Sequence, residues 1–233
     1  MYGIGHRGDQ KNYDENTIRA ITALTHSETD LRVTKDGRFI LMHDRNVKRT
    51  TNGEGLVDEL TWDYIRGLRT EPVGGRVPTW LKALRAIKKS GTVLTVEVKS
   101  YGTTWTRQQL RKAVRQVRKM GLHQQVYLGG YAGAMPVLEE VASDMLLYWR
   151  PKPHERVTAT TVQAHNASAV LILPRDLNKK VVRRAGRADA IVWARRSKKP
   201  SDLTIHEYWQ QIAATGARGI YTDTPYKFKR WCG

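Results

Sequence analysis

Three short blocks near the N-terminus carry the side chains that phosphate chemistry uses. His6-Arg7-Gly8 ends an apolar run, Glu28-Thr29-Asp30 lies on a second, and His43-Asp44 ends a third. They bring together two imidazoles that titrate near neutrality, a pair of carboxylates and a fixed guanidinium charge. That set suits metal-assisted acid–base chemistry on a phosphate. Glu28 and Asp30 are two apart, so on a strand they share a face. Two carboxylates on one face repel unless a cation lies between them, and oxygen ligands alone suit Mg²⁺ or Ca²⁺. Glu97 interrupts an apolar run, Thr95-Val96-Glu97-Val98, where a charge needs a partner that a metal can supply. Lys99 shares the face of Glu97 and is either its ion-pair partner or a clamp for a phosphate.

Of the seven histidines, His6 and His43 stand apart because each ends an apolar run next to a charged neighbour. Such a pair can divide phosphodiester cleavage, one imidazole taking a proton from the nucleophile and the other protonating the leaving oxygen. For either histidine taken alone, a hydrogen-bonded core position is the simpler account. Asp223 ends the last apolar run, where capping a turn before Pro225 is a simpler role than orienting a neighbour.

These side chains need strand ends to hold them. Short β-branched runs at 2–6, 29–33, 39–43, 93–99, 125–129, 146–149, 169–173, 190–193 and 219–222 predict strands. Asp36-Gly37 predicts a hairpin between the second and third. Amphipathic segments predict helices at 106–120 and 178–187, with others near 15–26, 62–68, 80–90, 136–144 and 202–215. Thr106 and Gly121 serve as start and stop of the first, and Leu110, Ala113, Val114 and Val117 form its apolar stripe. Alternating strands and helices over 233 residues predict a parallel sheet, closed as a single-domain TIM (β/α)₈ barrel with a small hairpin insertion after the second strand, with a doubly wound open sheet as the alternative. The candidate residues then fall at the C-terminal ends of the strands, where such barrels build their sites.

Composition narrows the function further. No apolar run approaches the roughly 20 residues that span a bilayer, and Met1 to Gly5 has no basic leader or apolar core, so a cytoplasmic product is expected. Cys232 is the only cysteine, which excludes an intrachain disulfide and a thiolate zinc site. The net charge is +18, of which residues 101–233 contribute +14, with 23 Lys/Arg against 9 Asp/Glu. Such an excess attracts anionic polymers, membrane surfaces or nucleic acid, although no nucleic-acid motif is present.

Taken together, these blocks resemble the glycerophosphodiester phosphodiesterase family. His6-Arg7-Gly8 with Glu15-Asn16-Thr17 is similar to its opening motif. Residues 28–37 resemble its metal-binding strand and turn, and His43-Asp44 with Arg49-Thr50-Thr51-Asn52-Gly53 is equally similar. Val77-Pro78-Thr79-Trp80-Leu81, Val96-Glu97-Val98-Lys99 and the closing strand at 216–225 complete the resemblance. The resemblance implies one divalent cation, Mg²⁺ or Ca²⁺, on Glu28, Asp30 and Glu97. It implies His6 and His43 as the acid–base pair, in unassigned order, and Arg7, Lys99 and Trp193 as substrate contacts. The implied reaction is hydrolysis of a glycerophosphodiester to glycerol 3-phosphate and an alcohol, with either water or the neighbouring hydroxyl attacking.

Three departures fall in the resemblance. Asp14 stands where the family usually has proline, Gly129-Gly130-Tyr131 replaces a Ser-Phe pair, and Ala194-Arg195-Arg196 follows Trp193 in place of Thr-Val-Asn. Tyr131, Arg195 and Arg196 can form a pocket for a larger or more anionic alcohol. Two other readings compete. One is a phospholipase D-like or teichoic-acid-directed phosphodiesterase on the same barrel, the former disfavoured by the missing cysteine framework. The other is a basic protein that only binds polyanions, disfavoured by the cost of retaining unused buried charges.

Overall fold

A computed structural model describes residues 1–100, 105–130, 133–195 and 199–233. Eight parallel strands close into a barrel. They are β1 (Tyr2–Gly5), β2 (His26–Val33), β4 (Val93–Val98), β5 (Val126–Gly130), β6 (Leu146–Trp149), β7 (Ala167–Ile172), β8 (Ile191–Ala194) and β9 (Gly219–Thr222). Each pairs with the next, and β1 closes the ring between β9 and β2, with Gly5 opposite Ser27. The remaining strand, β3 (Phe39–Leu41), runs antiparallel on β2 across the Asp36-Gly37 turn, with Leu31 opposite Leu41. This is the expected barrel with its hairpin.

Helices cover the outside: α1 (Ile18–Thr22), α2 (Trp62–Ile65), α3 (Trp80–Ser90), α4 (Arg107–Lys119), α5 (Met135–Val141), α6 (Ala159–Ala164), α7 (Lys179–Gly186), α8 (Ile205–Ala214) and α9 (Pro225–Cys232). Among the described residues no helix is long and apolar enough to cross a membrane. Thr106 and Gln109 form a capping box at the start of α4, and its buried stripe is Leu110, Ala113, Val114 and Val117. Gly121, at φ 69°, ends the helix in the left-handed region that favours glycine.

Most differences from the sequence expectation have local causes. Helix α1 is much shorter than residues 15–26, because Asn16 turns left-handed at φ 58° and Thr17 caps a helix that can start only at Ile18. That shortening frees Glu15 and Asn16 to face the site. Helix α6 is too short and too rich in threonine to register as a helix in the sequence. Helix α9 was also unforeseen. It covers the outside of β1, where Phe228 lies against Gly3, and packs Phe228 and Trp231 against Trp209 of α8.

Two apolar layers hold the barrel. Outside, β2, β4 and β5 pack Leu31, Leu94, Val96 and Leu128 on α3 and α4 through Trp80, Leu84 and Val114. Each such fully buried aliphatic side chain contributes about 1.5–3 kcal/mol. Inside, Ile4, Tyr148, Ala169, Leu171, Trp193 and Tyr221 fill the barrel below the site. Trp193 is only 1% exposed and its Nε1–H donates to the Tyr2 hydroxyl at 2.9 Å. Tyr2 and Trp193 both flank Gly219, where an added Cβ would come within about 3 Å of either ring. Trp193, expected at the substrate, is thus placed in the buried interior of the barrel. It lies in the interior layer beside Tyr148 and Tyr221, about 6–7 Å along β8 before Arg195.

Candidate active site

The loop after β1 is built to bring its backbone close to the carboxylates. Arg7 and Gly8 both take positive φ, at 59° and 81°, and a Cβ on Gly8 would lie 2.5 Å from the Ala20 carbonyl carbon. In this turn the Arg7 N–H donates to Glu28 Oε2 at 2.8 Å. The Arg7 guanidinium lies 3.1 Å from Glu15 and 3.8 Å from Asp30.

Glu28 and Asp30 point from β2 to the same side, and the register places Glu97 of β4 opposite Asp30. One oxygen from each of these three carboxylates lies within 4.8 Å of the others. Glu28 and Asp30 are each 1% exposed. Asn16 fixes the second of them. Its Nδ2 donates to Asp30 Oδ2 at 2.9 Å, while its Oδ1 accepts from the Thr29 hydroxyl and the Asp30 N–H. Lys99 Nζ reaches Asp30 at 2.9 Å and Glu97 at 2.6 Å, and Arg150 lies 3.6 Å from Glu97.

The electrostatics follow from this crowding. Burial pushes the Glu28 carboxyl well up, and Asp30 and Glu97 push it further against the pull of Lys99. Burial also acts upward on Asp30, but Lys99, His43 and Arg7 outweigh it and hold that carboxyl below its usual value. Burial pulls the Lys99 ammonium down, and Asp30 with Glu97 more than reverses this, so it stays charged. A cluster with one carboxylate driven toward neutrality is short of positive charge. Three oxygen donors on a rigid strand pair fit a hard divalent ion.

Each histidine rests on a carboxylate. His6 Nδ1 lies 2.9 Å from Asp223 Oδ1, which also accepts from Gln10 Nε2 at 2.7 Å. His43 Nδ1 lies 2.5 Å from Asp44 Oδ1. Facing an acceptor, each Nδ1 carries the proton, which leaves Nε2 as the ring nitrogen for chemistry. Burial lowers the His43 imidazole below its ordinary value, so it is neutral and able to accept a proton at pH 7. Burial pushes Asp44 up, but Arg49 and His43 hold it down to about 2. Arg49 binds Asp44 and, at 2.7 Å, Glu15, which ties the loop after β3 to the loop after β1. Arg32, two residues past Asp30, donates through Nε and a terminal nitrogen to the His43 carbonyl at 3.0 and 2.7 Å.

These groups surround one cavity of about 160 Å³ lined by His6, Arg7, His43, Glu97, Lys99, Arg150, Leu171, Arg195 and Tyr221. The lining includes His6, His43, Arg7, Lys99 and Glu97 from the sequence reading, and Glu28 and Asp30 lie beside it. Trp193 is not in the lining. Tyr131 and Arg196 lie outside the described residues. Asp223 turns out to hold His6, a role the sequence reading ranked below turn capping, because 217 positions separate them. Arg150 was not singled out. Its only sequence signal is a charge placed directly after the apolar β6.

The chain matches the model of the Glycerophosphoryl diester phosphodiesterase family over residues 6–227. A glycerophosphodiester phosphodiesterase of Caldanaerobacter subterraneus subsp. tengcongensis is 37% identical over 108 residues, 42% of this chain and 44% of that protein. The match thus spans less than half the length of that relative. Among solved structures, a glycerophosphodiester phosphodiesterase from Agrobacterium tumefaciens superposes with a TM-score of 0.83 at 20% identity over 99% of both chains. An Oleispira antarctica phosphodiesterase, solved with the product sn-glycerol-3-phosphate, gives 0.80 at 17% identity over 99% of this chain and 96% of that one. These structures share the fold, and the match along nearly the whole chain shows that the protein belongs to the glycerophosphoryl diester phosphodiesterase family.

Proposed function

We propose that this single-domain barrel hydrolyses glycerophosphodiesters to glycerol 3-phosphate and an alcohol, with a divalent cation and two histidines. The observation that carries this reading is convergence. Three carboxylates, two carboxylate-backed imidazoles, Arg7 and Lys99 meet around one cavity at the C-terminal end of the barrel. The family match and the product held by the Oleispira protein point to the same substrate class.

Glu28, Asp30 and Glu97 would hold Mg²⁺ or Ca²⁺, and the bound ion would supply Lewis-acid polarisation of a phosphoryl oxygen. Arg7 and Lys99 orient and neutralise the phosphodiester anion. Of His6 and His43, one takes the proton from the attacking hydroxyl, whether of water or of the neighbouring glycerol carbon. The other delivers a proton to the departing alkoxide, so the alcohol leaves neutral. Asp223 and Asp44 fix the ring orientation and stabilise whichever imidazolium forms. Arg32, by holding the His43 carbonyl, sets the position of the second imidazole.

The test is glycerol 3-phosphate release from glycerophosphocholine, followed by a dehydrogenase-coupled assay in Mg²⁺, in Ca²⁺ and in excess chelator. The expected result is turnover with a metal and its loss with chelator. Equal turnover in chelator would remove the cation from the reading, and no release in any condition would remove the reaction.

A further inference from the structure

The positive charge that the cavity does not use follows a pattern on the outer wall. On α3, Lys82, Arg85 and Lys89 recur at i, i+3 and i+7, opposite the buried Trp80, Leu84 and Ile87. On α4, Lys112, Arg115 and Lys119 repeat that spacing opposite its buried stripe. All six are exposed. The two helices pack side by side. The Trp80 indole N–H donates to the Ala113 carbonyl at 3.2 Å, and the Lys88 ammonium donates to the Met120 carbonyl at 2.9 Å. Both rows therefore face away from the barrel together, each about 10 Å long and about 10 Å from the other. Neither helix carries an acid. The acids beside α4, Glu140 of α5 and Asp144 just after it, are taken by Arg107, Arg111 and Arg118. Among the described residues no carboxylate forms an ion pair with the six outward cations, and Lys112 lies 5.8 Å from the centre of the Phe39 ring.

Six like charges on one face attract an anion that is itself spread over a surface. The face has no exposed aromatic or large aliphatic side chain, so it offers neither stacking for bases nor insertion into lipid tails. A major groove admits one helix, and α3 and α4 are held against each other and against the barrel, so neither can enter one. Two neighbouring helices on a convex wall share one tangent plane. A planar array of phosphates meets both rows in that plane, whereas a duplex, itself convex, meets the wall along one line. We propose that the α3–α4 face docks the protein on an anionic lipid bilayer, held by headgroup charge without insertion. The face runs along the side of the barrel, so the cavity at the C-terminal ends of the strands stays open in the docked protein. This docking is independent of the proposed reaction.

The test is co-sedimentation of the full chain with phosphatidylcholine vesicles, with and without phosphatidylglycerol, across a range of salt. The expected result is binding to the phosphatidylglycerol vesicles alone, falling steeply as salt rises. A cation near such a surface is worth about fivefold in affinity, so K112Q/R115Q/K119Q should weaken binding by about 100-fold, and K82Q/R85Q/K89Q by a similar factor. Helix α7 supplies the control. Its Lys180, Arg183 and Arg187 are exposed at the same spacing, but α7 follows β7, three strands around the ring from β4. K180Q/R183Q/R187Q removes the same charge and should change binding by less than about threefold, because it leaves the docked face whole. Far-ultraviolet circular dichroism of each variant confirms that the barrel is folded. Equal losses from the α7 and α4 variants overturn the proposal in favour of net charge. So does the absence of binding to phosphatidylglycerol vesicles. Tighter binding to duplex DNA at matched salt, lost in the α3 and α4 variants, would assign the face to nucleic acid and overturn the lipid reading.

Discussion

Replacing Glu28 with glutamine should make the metal-free protein more stable and blind to divalent cations. The side chain is 1% exposed, and its carboxyl is pushed up by burial and by two neighbouring carboxylates. Two unit charges 4.8 Å apart, the outer limit of the cluster, repel by about 3 kcal/mol at an effective dielectric constant of ~20. Asp30 and Glu97 each impose a repulsion of that order, and Lys99 and Arg7 return part of it. The amide oxygen of glutamine can still accept from the Arg7 N–H, so little hydrogen bonding is lost. Metal-free E28Q should therefore gain about 1–3 kcal/mol over wild type. Mg²⁺ at a hundred times its dissociation constant should stabilise wild type by about 2.7 kcal/mol. In a domain of this size that is about 5–10 °C in Tm, with no comparable shift in E28Q. Thermal unfolding of both proteins, in chelator and in Mg²⁺, reads all four values. A metal-free E28Q less stable than wild type, or a variant that keeps the metal-induced shift, would refute the reasoning.

Three further outcomes are expected. Asp223→Ala should lower kcat about 10- to 100-fold with little change in Tm, because it frees the His6 ring rather than opening the core; an unchanged kcat would deny Asp223 its positioning role. Asp44 has its carboxyl lowered from 3.8 to about 2 in the folded protein, so its ionised form favours the fold. That stability is present above pH about 4 and is lost as the pH falls through about 2. The denaturation midpoint of D44N should therefore trail wild type at pH 6 and draw level toward pH 2, and a constant gap would contradict this. Asp14 is 4% exposed and accepts from the Thr70 hydroxyl and the Val73 and Gly75 N–H groups at 2.6, 2.7 and 3.1 Å. Asp14→Ala should cost about 3 kcal/mol in urea unfolding, the price of three orphaned donors, and a cost below ~1 kcal/mol would mean that water replaces them.

The sequence was most informative where a local rule governs structure. Strands β6 and β9 and helix α3 fall on the expected residues, because each is a run of one periodicity bounded by its own stop signals. Glu28 and Asp30 share a face for the same reason. The period of a strand does not, however, reveal height inside a barrel. Trp193 points inward as expected, but the register beside Gly219 sets it in the layer below the cavity, while Arg195 reaches the lining. Contacts made across the closure of the ring were the hardest to foresee. Asp223 meets His6 only because β9 and β1 are neighbours. The departure at Asp14 also has a local account, since its carboxylate binds the turn at 70–75, and nothing in the residues beside it announces that partner.

The most direct test of the central claim is a ³¹P NMR time course of glycerophosphocholine in Mg²⁺ with wild type, H6A, H43A and E97Q. Wild type should convert the diester resonance to that of glycerol 3-phosphate. Each variant should slow the conversion by about 10²–10⁴-fold while retaining the far-ultraviolet circular dichroism of the folded barrel. Variants that match wild type, or a wild type that leaves the diester intact, would contradict the assignment of this cavity as the active site.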